Sequence, residues 1–150
     1  MPSPLKSVSF CLATMACALP AALQAADNAA VTCSVTIDYE RNNVLVERYT
    51  RDFVADPTTP FVDDFSTRIR SKTFSATVTR DSGITVVNFD YYNDVGVFHA
   101  IALNSSLTMR GSGDVQSTSG RHNFYATNST TPASVGGTHL TAYNLACRRL

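Results

Sequence analysis

The sequence predicts a mainly β protein, built as a single antiparallel β-sandwich or barrel of about seven or eight strands with at most one short helix near residues 60–70. Three observations lead to this fold class. Short runs of alternating apolar and polar residues recur between turn-forming residues. The region 26–150 is rich in Thr, Val, Ser and Tyr, which favour strands. Cys33 and Cys147 lie near the two ends of this region, where a disulfide would join the N-terminal and C-terminal strands.

Residues 1–25 have the features of a secretory signal peptide. Lys6 supplies a positive charge, an apolar run follows over residues 8–19, and residues 23–25 offer a cleavage site that ends in a small residue. The apolar run is too short to span a bilayer as a helix, since about 20 residues are needed. We therefore expect one β-rich domain over residues 26–150, exported to the periplasm or secreted.

Cleavage after Ala25 would remove Cys11 and Cys17 together with the signal. Lipid attachment at Cys17 is not expected, because Thr14 occupies the position where a lipoprotein signal usually has Leu. No other segment is long and apolar enough to cross a membrane as a helix. The formal net charge of the chain is +0, so the composition gives no indication of nucleic-acid binding or of attraction to an anionic membrane.

The first two predicted strands flank a tight turn. Residues 31–39 alternate, with apolar side chains on one face and polar side chains on the other. Asn42 and Asn43 tolerate the positive φ angles of a hairpin turn. Residues 44–54 form a second strand whose pattern is interrupted by charges, so we expect this strand to lie near a sheet edge.

The segment near residues 60–70 is interpreted as a short helix. A capping Thr and a proline suited to the first helical position come at its start. Phe61, Phe65 and Ile69 recur at a spacing of four and would form one apolar stripe. A strand from Thr67 onward remains the alternative.

Strands follow in quick succession through the middle of the chain. Residues 74–79 alternate, and Asp81-Ser82-Gly83 predicts a three-residue hairpin loop. The next strand covers residues 84–91, and a change of phase at Val86 and Val87 predicts a β-bulge.

Residues 95–103 predict a strand that is apolar on both faces and is therefore expected to be central. Asn93-Asp94 and Asn104-Ser105 are interpreted as the turns on either side of it. Two loops of small residues are expected next, the first over residues 111–120.

The second of these loops covers residues 127–137, with a strand near residues 122–126 before it. The last strand is predicted at residues 138–147. Its alternation puts Cys147 on the same face as Leu145, as Cys33 lies on the apolar face of the first strand. Two inward-pointing cysteines on neighbouring strands would meet inside the domain.

The chain lacks a recognisable catalytic or metal-binding signature. His99, His122 and His139 have no ligand partner at helical spacing, and no Gly-x-Ser-x-Gly elbow occurs. We therefore predict no catalytic residue, no metal site and no cofactor. A hydrolase that uses scattered polar residues is a third possibility, behind the two functions given below.

Six residues are predicted to bind a partner. Adjacent residues of a strand point to opposite faces, so one of the two neighbouring tyrosines should present its ring to solvent. Tyrosine is common among interface hot spots, although an ordinary cross-strand aromatic pair is the alternative. The six residues are Tyr91, Tyr92, Asp94, Ser119, Arg121 and His122.

The segment Ser117-Thr118-Ser119-Gly120, with Tyr125 after it, resembles the Ser-x-Ser-Gly loop of the C-type lysozyme inhibitors, which are also small exported β-barrels. The tyrosine spacing differs, the tryptophan-containing segment of that family is absent, and this chain is longer. We do not assign the chain to the family.

These observations favour an exported protein-binding module, such as an inhibitor or immunity protein that blocks a toxin or hydrolase through its loops. The alternative is a carrier of a small ligand or lipid, with the barrel interior as its pocket and His99 or Tyr143 as a polar anchor.

Overall fold

The computed structural model describes residues 30–96, 99–126 and 137–150, and these residues form two four-stranded antiparallel sheets without a helix. The predicted fold class is therefore confirmed. The expected signal peptide and most of the expected loop at 127–137 lie outside the described residues. The strands are β1 (Val31–Arg41), β2 (Val44–Ala55), β3 (Phe61–Asp64), β4 (Lys72–Asp81), β5 (Ile84–Gly96), β6 (His99–Arg110), β7 (Val115–Ala126) and β8 (Gly137–Arg149).

The strand order follows the chain around the body. The first sheet has the order β2-β1-β8-β7 and the second the order β3-β4-β5-β6. Strands that are consecutive in sequence therefore pair or lie at facing sheet edges, and the β1–β8 pair connects the two ends of the chain. Among the described strands no ladder joins β2 to β3 or β6 to β7, so the body has two seams. The predicted edge position of β2 is confirmed.

The disulfide between Cys33 and Cys147 is confirmed and lies within the β1–β8 ladder. The two residues are direct register partners, and both are 2% exposed. The ladder continues on both sides, from Val31 opposite Arg149 to Arg41 opposite His139. The covalent bond therefore reinforces the longest-range strand pairing in the chain.

The core lies between the sheets and consists of every second residue of the strands, as the pleat of a strand requires. Aromatic rings fill the space beside the first seam, where Phe53 stacks on Phe61 and Tyr49 stacks on Phe65, with ring centroids 4.8 and 4.6 Å apart. The buried hydrophobic residues are Val31, Cys33, Val35, Ile37, Tyr39, Tyr49, Phe53, Ala55, Phe74, Ala76, Val78, Val87, Phe89, Tyr91, Ile101, Leu107, Met109, Leu145 and Cys147.

Polar side chains bridge the first seam, between β2 and the strands β3 and β4. The Tyr49 hydroxyl and the Arg51 Nε both donate to the Asp63 carboxylate, at 2.9 and 2.7 Å. The Lys72 ammonium donates to both carboxylate oxygens of Glu47, at 2.7 and 2.6 Å. The lysine is only 13% exposed, so this ion pair is better shielded from solvent than the typical surface pair.

A tyrosine connects the strands at the second seam, between β6 and β7, and a glycine makes room for its ring. The Tyr143 hydroxyl donates to Ser105 Oγ at 2.8 Å, which links β8 to β6 across β7. The ring crosses Gly120 of β7 so closely that a Cβ atom there would lie 2.5 Å from the Tyr143 Cε1 atom. Gly120 is therefore required by a close approach, a common reason for glycine within a strand.

The helix interpreted near residues 60–70 is wrong. Residues Phe61–Asp64 form β3, and the chain then turns between Thr67 and Arg70, which form an isolated antiparallel bridge. Phe61 and Phe65 both pack against the core, as the helix prediction also required, but they do so as alternate positions of an extended chain.

The expected β-bulge at Val86 and Val87 is wrong as well. The pairing of β5 with β4 is continuous there, and Thr85, Val87 and Phe89 all point inward. The register shift of β5 instead lies between Asp94 and Gly96. The hairpin before β5 has two turn residues with positive φ, Ser82 and Gly83, so the loop is one residue shorter than expected.

Three further expectations are wrong, two of them because the strands are longer than predicted. Asn93-Asp94 and Asn104-Ser105 lie within β5 and β6 and do not form turns. The sheet order makes β6 an edge strand of the second sheet instead of a central one, and Ala100 and Ala102 are exposed. The residues 117–120, expected in a loop, belong to β7.

The disulfide generates a testable prediction. Replacing both Cys33 and Cys147 by Ala should lower the free energy of unfolding by roughly 4–5 kcal/mol, because the unfolded chain regains the freedom of a long loop. The sequence separation is 114 residues. Urea denaturation of the two forms measures the difference, and reduction of the wild-type protein should reproduce it. An unchanged midpoint would contradict the argument.

Gly120 generates a second prediction. Gly120→Ala should destabilise the protein by about 1–3 kcal/mol, because the new methyl group displaces the Tyr143 ring from Ser105. Denaturant unfolding measures the change, with Ser119→Ala on the exposed face of β7 as the control. In a Tyr143→Ala background the cost should largely disappear, and an equal cost in both backgrounds would show that the ring is not the cause.

Candidate functional site

The two neighbouring tyrosines of β5 point to opposite sides of the second sheet, as alternation requires. Tyr91 is 2% exposed and its hydroxyl accepts a hydrogen bond from Asn93 Nδ2 at 2.9 Å. Tyr92 is 40% exposed. Its outward face continues with Asp94, whose backbone N–H donates to the carbonyl of Ser71 at 3.0 Å. Tyr92 is thus exposed at the surface and Asp94 is half-buried on the same outer face, whereas Tyr91 belongs to the core.

The other three predicted residues lie on β7. Ser119 and Arg121 pair with Asn144 and Ala142 on the outer face of the first sheet. His122 pairs with Thr141 on the inner side, although its own side chain is exposed at this edge. The strand β6 separates this group from Tyr92 and Asp94, so the six residues lie in two groups on different sheets. Their partner-binding role stays a prediction.

The connections between strands divide the body into two ends. At one end Leu150 donates its N–H to the carbonyl of Ala30 at 3.0 Å, and we call this the terminal end. The opposite end, which we call the distal end, carries the Asn42-Asn43 turn, the turn 67–70, the last residues of β5 and the first residues of β8. Hydrogen bonds join these pieces, since the Asn42 N–H donates to the Thr138 carbonyl at 2.8 Å.

The distal end exposes a run of apolar side chains. Val44, Leu45 and Val46 begin β2 and are 64%, 47% and 56% exposed. Ile69, at the tip of the turn 67–70, is 81% exposed. Single exposed apolar residues are ordinary, but three consecutive ones on an edge strand are a feature that usually marks an interaction site or an aggregation hazard.

The backbone explains why these side chains face solvent. Asn42 and Asn43 have φ angles of 52° and 61°, which two consecutive asparagines tolerate better than most residues. The register of β1 and β2 then shifts between Tyr39 and Glu40, so that Tyr39 pairs with Glu47 and Glu40 with Leu45. This leaves Val46 without a paired residue on β1, and the start of β2 does not join the regular core alternation.

Arginines adjoin the exposed apolar residues, since Arg41 pairs with Val44 and two arginines flank Ile69 in the chain. Arg41, Arg68 and Arg70 form no ion pair with any residue that the structure describes. Glu47, which directly follows the apolar run, is held by Lys72. Glu40 is half-buried on the outer face of β1. The distal end therefore combines exposed apolar side chains with three arginines that form no ion pair among the described residues.

Beneath this surface the distal end of the core is unusually polar. The Tyr39 hydroxyl and His139 Nδ1 share a hydrogen bond of 2.8 Å, and both residues are buried. Asn93 and Thr141 are 0% exposed, and the Asn93 Oδ1 and the Thr141 hydroxyl have no hydrogen-bond partner within the described ranges. Buried polar atoms are usually hydrogen-bonded, so these two atoms are exceptions.

Burial and nearby charged groups shift the pKa values of the buried tyrosines. Burial raises the pKa of Tyr39, the charges of Arg41 and Arg70 oppose this rise, and Glu47 adds to it. Burial also raises the pKa of Tyr91 to about 12, again with a contribution from Glu47. Both hydroxyls remain neutral at physiological pH, which suits a hydrogen-bonding role beneath the surface.

Sequence reasoning missed the apolar run at the start of β2. The signal was present, because Val44-Leu45-Val46 does not alternate and is followed directly by charged residues. A strand that packs one face on a core should alternate apolar and polar residues. Three consecutive apolar residues therefore indicate that at least one apolar side chain points away from the core. Ile69 was assigned to a helix stripe and so was not recognised as exposed.

Within residues 30–96, 99–126 and 137–150, no cluster of three or more His, Cys, Asp or Glu side chains is placed to hold a metal ion. The same residues form no helix long and apolar enough to cross a bilayer. The chain matches no protein-family model and no curated protein sequence. The function must therefore be argued from the chain's own residues.

The buried tyrosines generate a prediction about alkaline pH. The folded pKa of Tyr91 lies above the unfolded value of about 10, so its contribution to stability is complete below pH 10 and is lost as pH rises toward about 12. Denaturant unfolding across this range measures the loss. Tyr91→Phe should make the loss less steep. Equal slopes in the wild type and in Tyr91→Phe would contradict the assignment.

Proposed function

We propose that this protein is a protein-binding module that grips another protein through its distal end, in the manner of an inhibitor or immunity protein acting outside the cytoplasm. The observation that carries the proposal is the exposed apolar run Val44-Leu45-Val46, together with the exposed Ile69 in the turn 67–70 at the same end of the body. These side chains contribute little to the fold, because they lie outside the core. Burial against a partner is the use that explains their position best.

The energetics support a partner that also uses polar contacts. Burying a Val, Leu or Ile side chain contributes about 1.5–3 kcal/mol, so four such side chains contribute roughly 6–12 kcal/mol. Association costs an estimated 4–15 kcal/mol in lost translational and rotational freedom. The apolar run therefore offsets that cost but does not by itself give tight binding. Additional contacts at the rim are needed.

The charges around the run indicate the chemistry of those contacts. Arg41, Arg68 and Arg70 form no ion pair in the part of the chain that the structure describes. Arginine recognises carboxylates by paired hydrogen bonds and is enriched at interfaces. We therefore propose a partner whose surface has carboxylates around an apolar patch. Tyr92 and Asp94, on the outer face of β5 near the same end, would lie at the rim.

The scaffold suits this role because it is preorganised. The disulfide and the filled core hold the strands, and the bonds of Asp63 and Glu47 close the first seam. A rigid binding surface loses less conformational freedom on association, which favours affinity. The same filled core is the reason that we argue for a surface role before a carrier role.

Two matched pairs of substitutions test the proposal. Val→Thr keeps the shape and strand preference of the side chain but adds a hydroxyl, so it weakens apolar contacts without a large change in fold. The test variant is V44T/V46T at the distal end. The control is V54T/V115T, two valines of similar exposure, 57% and 58%, located toward the terminal end.

Each protein is immobilised and exposed to an extract of exported proteins from the source cell, and the captured partner is then titrated. We expect the wild type and the control to bind equally and V44T/V46T to bind at least tenfold more weakly, since hot-spot losses exceed about 1 kcal/mol each. Failure of the wild type to capture any saturable partner, or equal binding by all three, would overturn the proposal.

A further inference from the structure

A cleft of about 170 Å³ opens at the terminal end, away from the proposed partner surface. It lies beside the turn between β4 and β5 and the end of β8. Pockets for drug-sized ligands usually have volumes of about 300–1,000 Å³, so this cleft fits a smaller group. Its lining residues are Arg80, Asp81, Ser82, Gly83, Ile84, Thr85 and Arg149.

Two arginines from opposite sheets meet at this cleft. Arg149 of β8 pairs in register with the fully buried Val31 and is 5% exposed itself. Its Nη1 donates to the carbonyl of Gly83 at 3.2 Å, which fixes the guanidinium beside the turn. Arg80 of β4 pairs with the buried Thr85 and is half-buried. The Nε atoms of both arginines are inaccessible to solvent.

Among the remaining polar groups of the cleft, the Thr85 hydroxyl is the one that favours an anion. Thr85 is 0% exposed, and its hydroxyl has no hydrogen-bond partner among the residues described. A buried hydroxyl without a partner is a costly feature, which a ligand that accepts a hydrogen bond would relieve. The carboxylate of Asp81 is exposed, and it accepts a hydrogen bond from the Ser82 hydroxyl at 2.9 Å.

We propose that this cleft binds a phosphate group, with Arg80 and Arg149 as its cationic ligands and the Thr85 hydroxyl as a donor from the floor of the cleft. Guanidinium groups form paired, charge-assisted hydrogen bonds with phosphate oxygens. Both arginines line this one small, half-enclosed cleft, so a phosphate held in it would interact with both. The group is either free inorganic phosphate or the phosphate of a larger molecule.

The experiment measures thermal unfolding of the exported, disulfide-bonded protein in increasing inorganic phosphate, with chloride at equal ionic strength as the reference. We expect a saturable rise in Tm of about 5 °C for the wild type. Arg149→Gln should abolish the saturable part and retain only the general effect of an excluded anion. Arg148→Gln, the exposed neighbour, should respond like the wild type.

Thr85→Val tests the site without removing a charge. Loss of an unpartnered hydroxyl should leave the phosphate-free protein as stable as the wild type or more stable, yet reduce phosphate affinity at least fivefold. Thr141→Val is the matched control, because that hydroxyl is equally buried and unpartnered but lies near the distal end. It should keep the full phosphate response. Calorimetric titration of phosphate into Thr85→Val provides the same comparison if Arg149→Gln does not fold.

Glycerol phosphate and acetate distinguish the sources of the anion. Binding of glycerol phosphate as tight as that of inorganic phosphate assigns the cleft to a phosphate carried by a larger molecule, and binding of inorganic phosphate alone assigns it to the free ion. A response to acetate equal to that to phosphate, a response that does not saturate, or an unchanged response in Arg149→Gln would overturn the proposal.

Discussion

The pairing of β1 with β8 is the contact on which the rest of the structure depends. It joins residues 98 to 118 positions apart, with Cys33 directly opposite Cys147. Without it the first sheet would separate into two hairpins, each with an uncovered edge and little core of its own. Closing so long a loop is entropically unfavourable and slow. A covalent bond at this point makes the closure permanent once it has formed, after which the remaining strands have a fixed frame to pack on.

The two seams show how side chains substitute for missing ladders. At the first seam one carboxylate, Asp63, receives hydrogen bonds from a tyrosine and an arginine of β2. At the second, Tyr143 reaches across a glycine to Ser105. Side-chain bridges leave backbone groups of the edge strands without ladder partners, which in other proteins invites association with further strands. Closure of the body at the two seams therefore depends on a few individual side-chain contacts, whereas a continuous ladder would depend on many backbone hydrogen bonds.

Much of the fold could be predicted from the sequence, namely its class, β1, β2, the last strand and the disulfide, because alternation and turn residues are local signals. Two of the errors share a physical origin. Asp63 lies between Phe61 and Phe65 and interrupts the alternation, and its partners lie on another strand, so a local reading favoured a helix. Ser105 was placed in a turn because its partner Tyr143 is 38 residues away. Polar residues that point inward are compatible with a strand only when a distant partner exists, and a single sequence does not reveal that partner.

The candidate surface was only partly predictable for the same reason: the exposure of Tyr92 follows from alternation, but that of Val44 depends on the register of β1. The adjacency of Ala30 and Leu150 has a separate consequence for engineering. After removal of residues 1–29, a linker of a few residues would join them covalently, and the chain could be reopened in the connection 56–60 between β2 and β3 with every described ladder intact. Such a circular permutant would place its new termini in that connection and would keep the same strand order in both sheets.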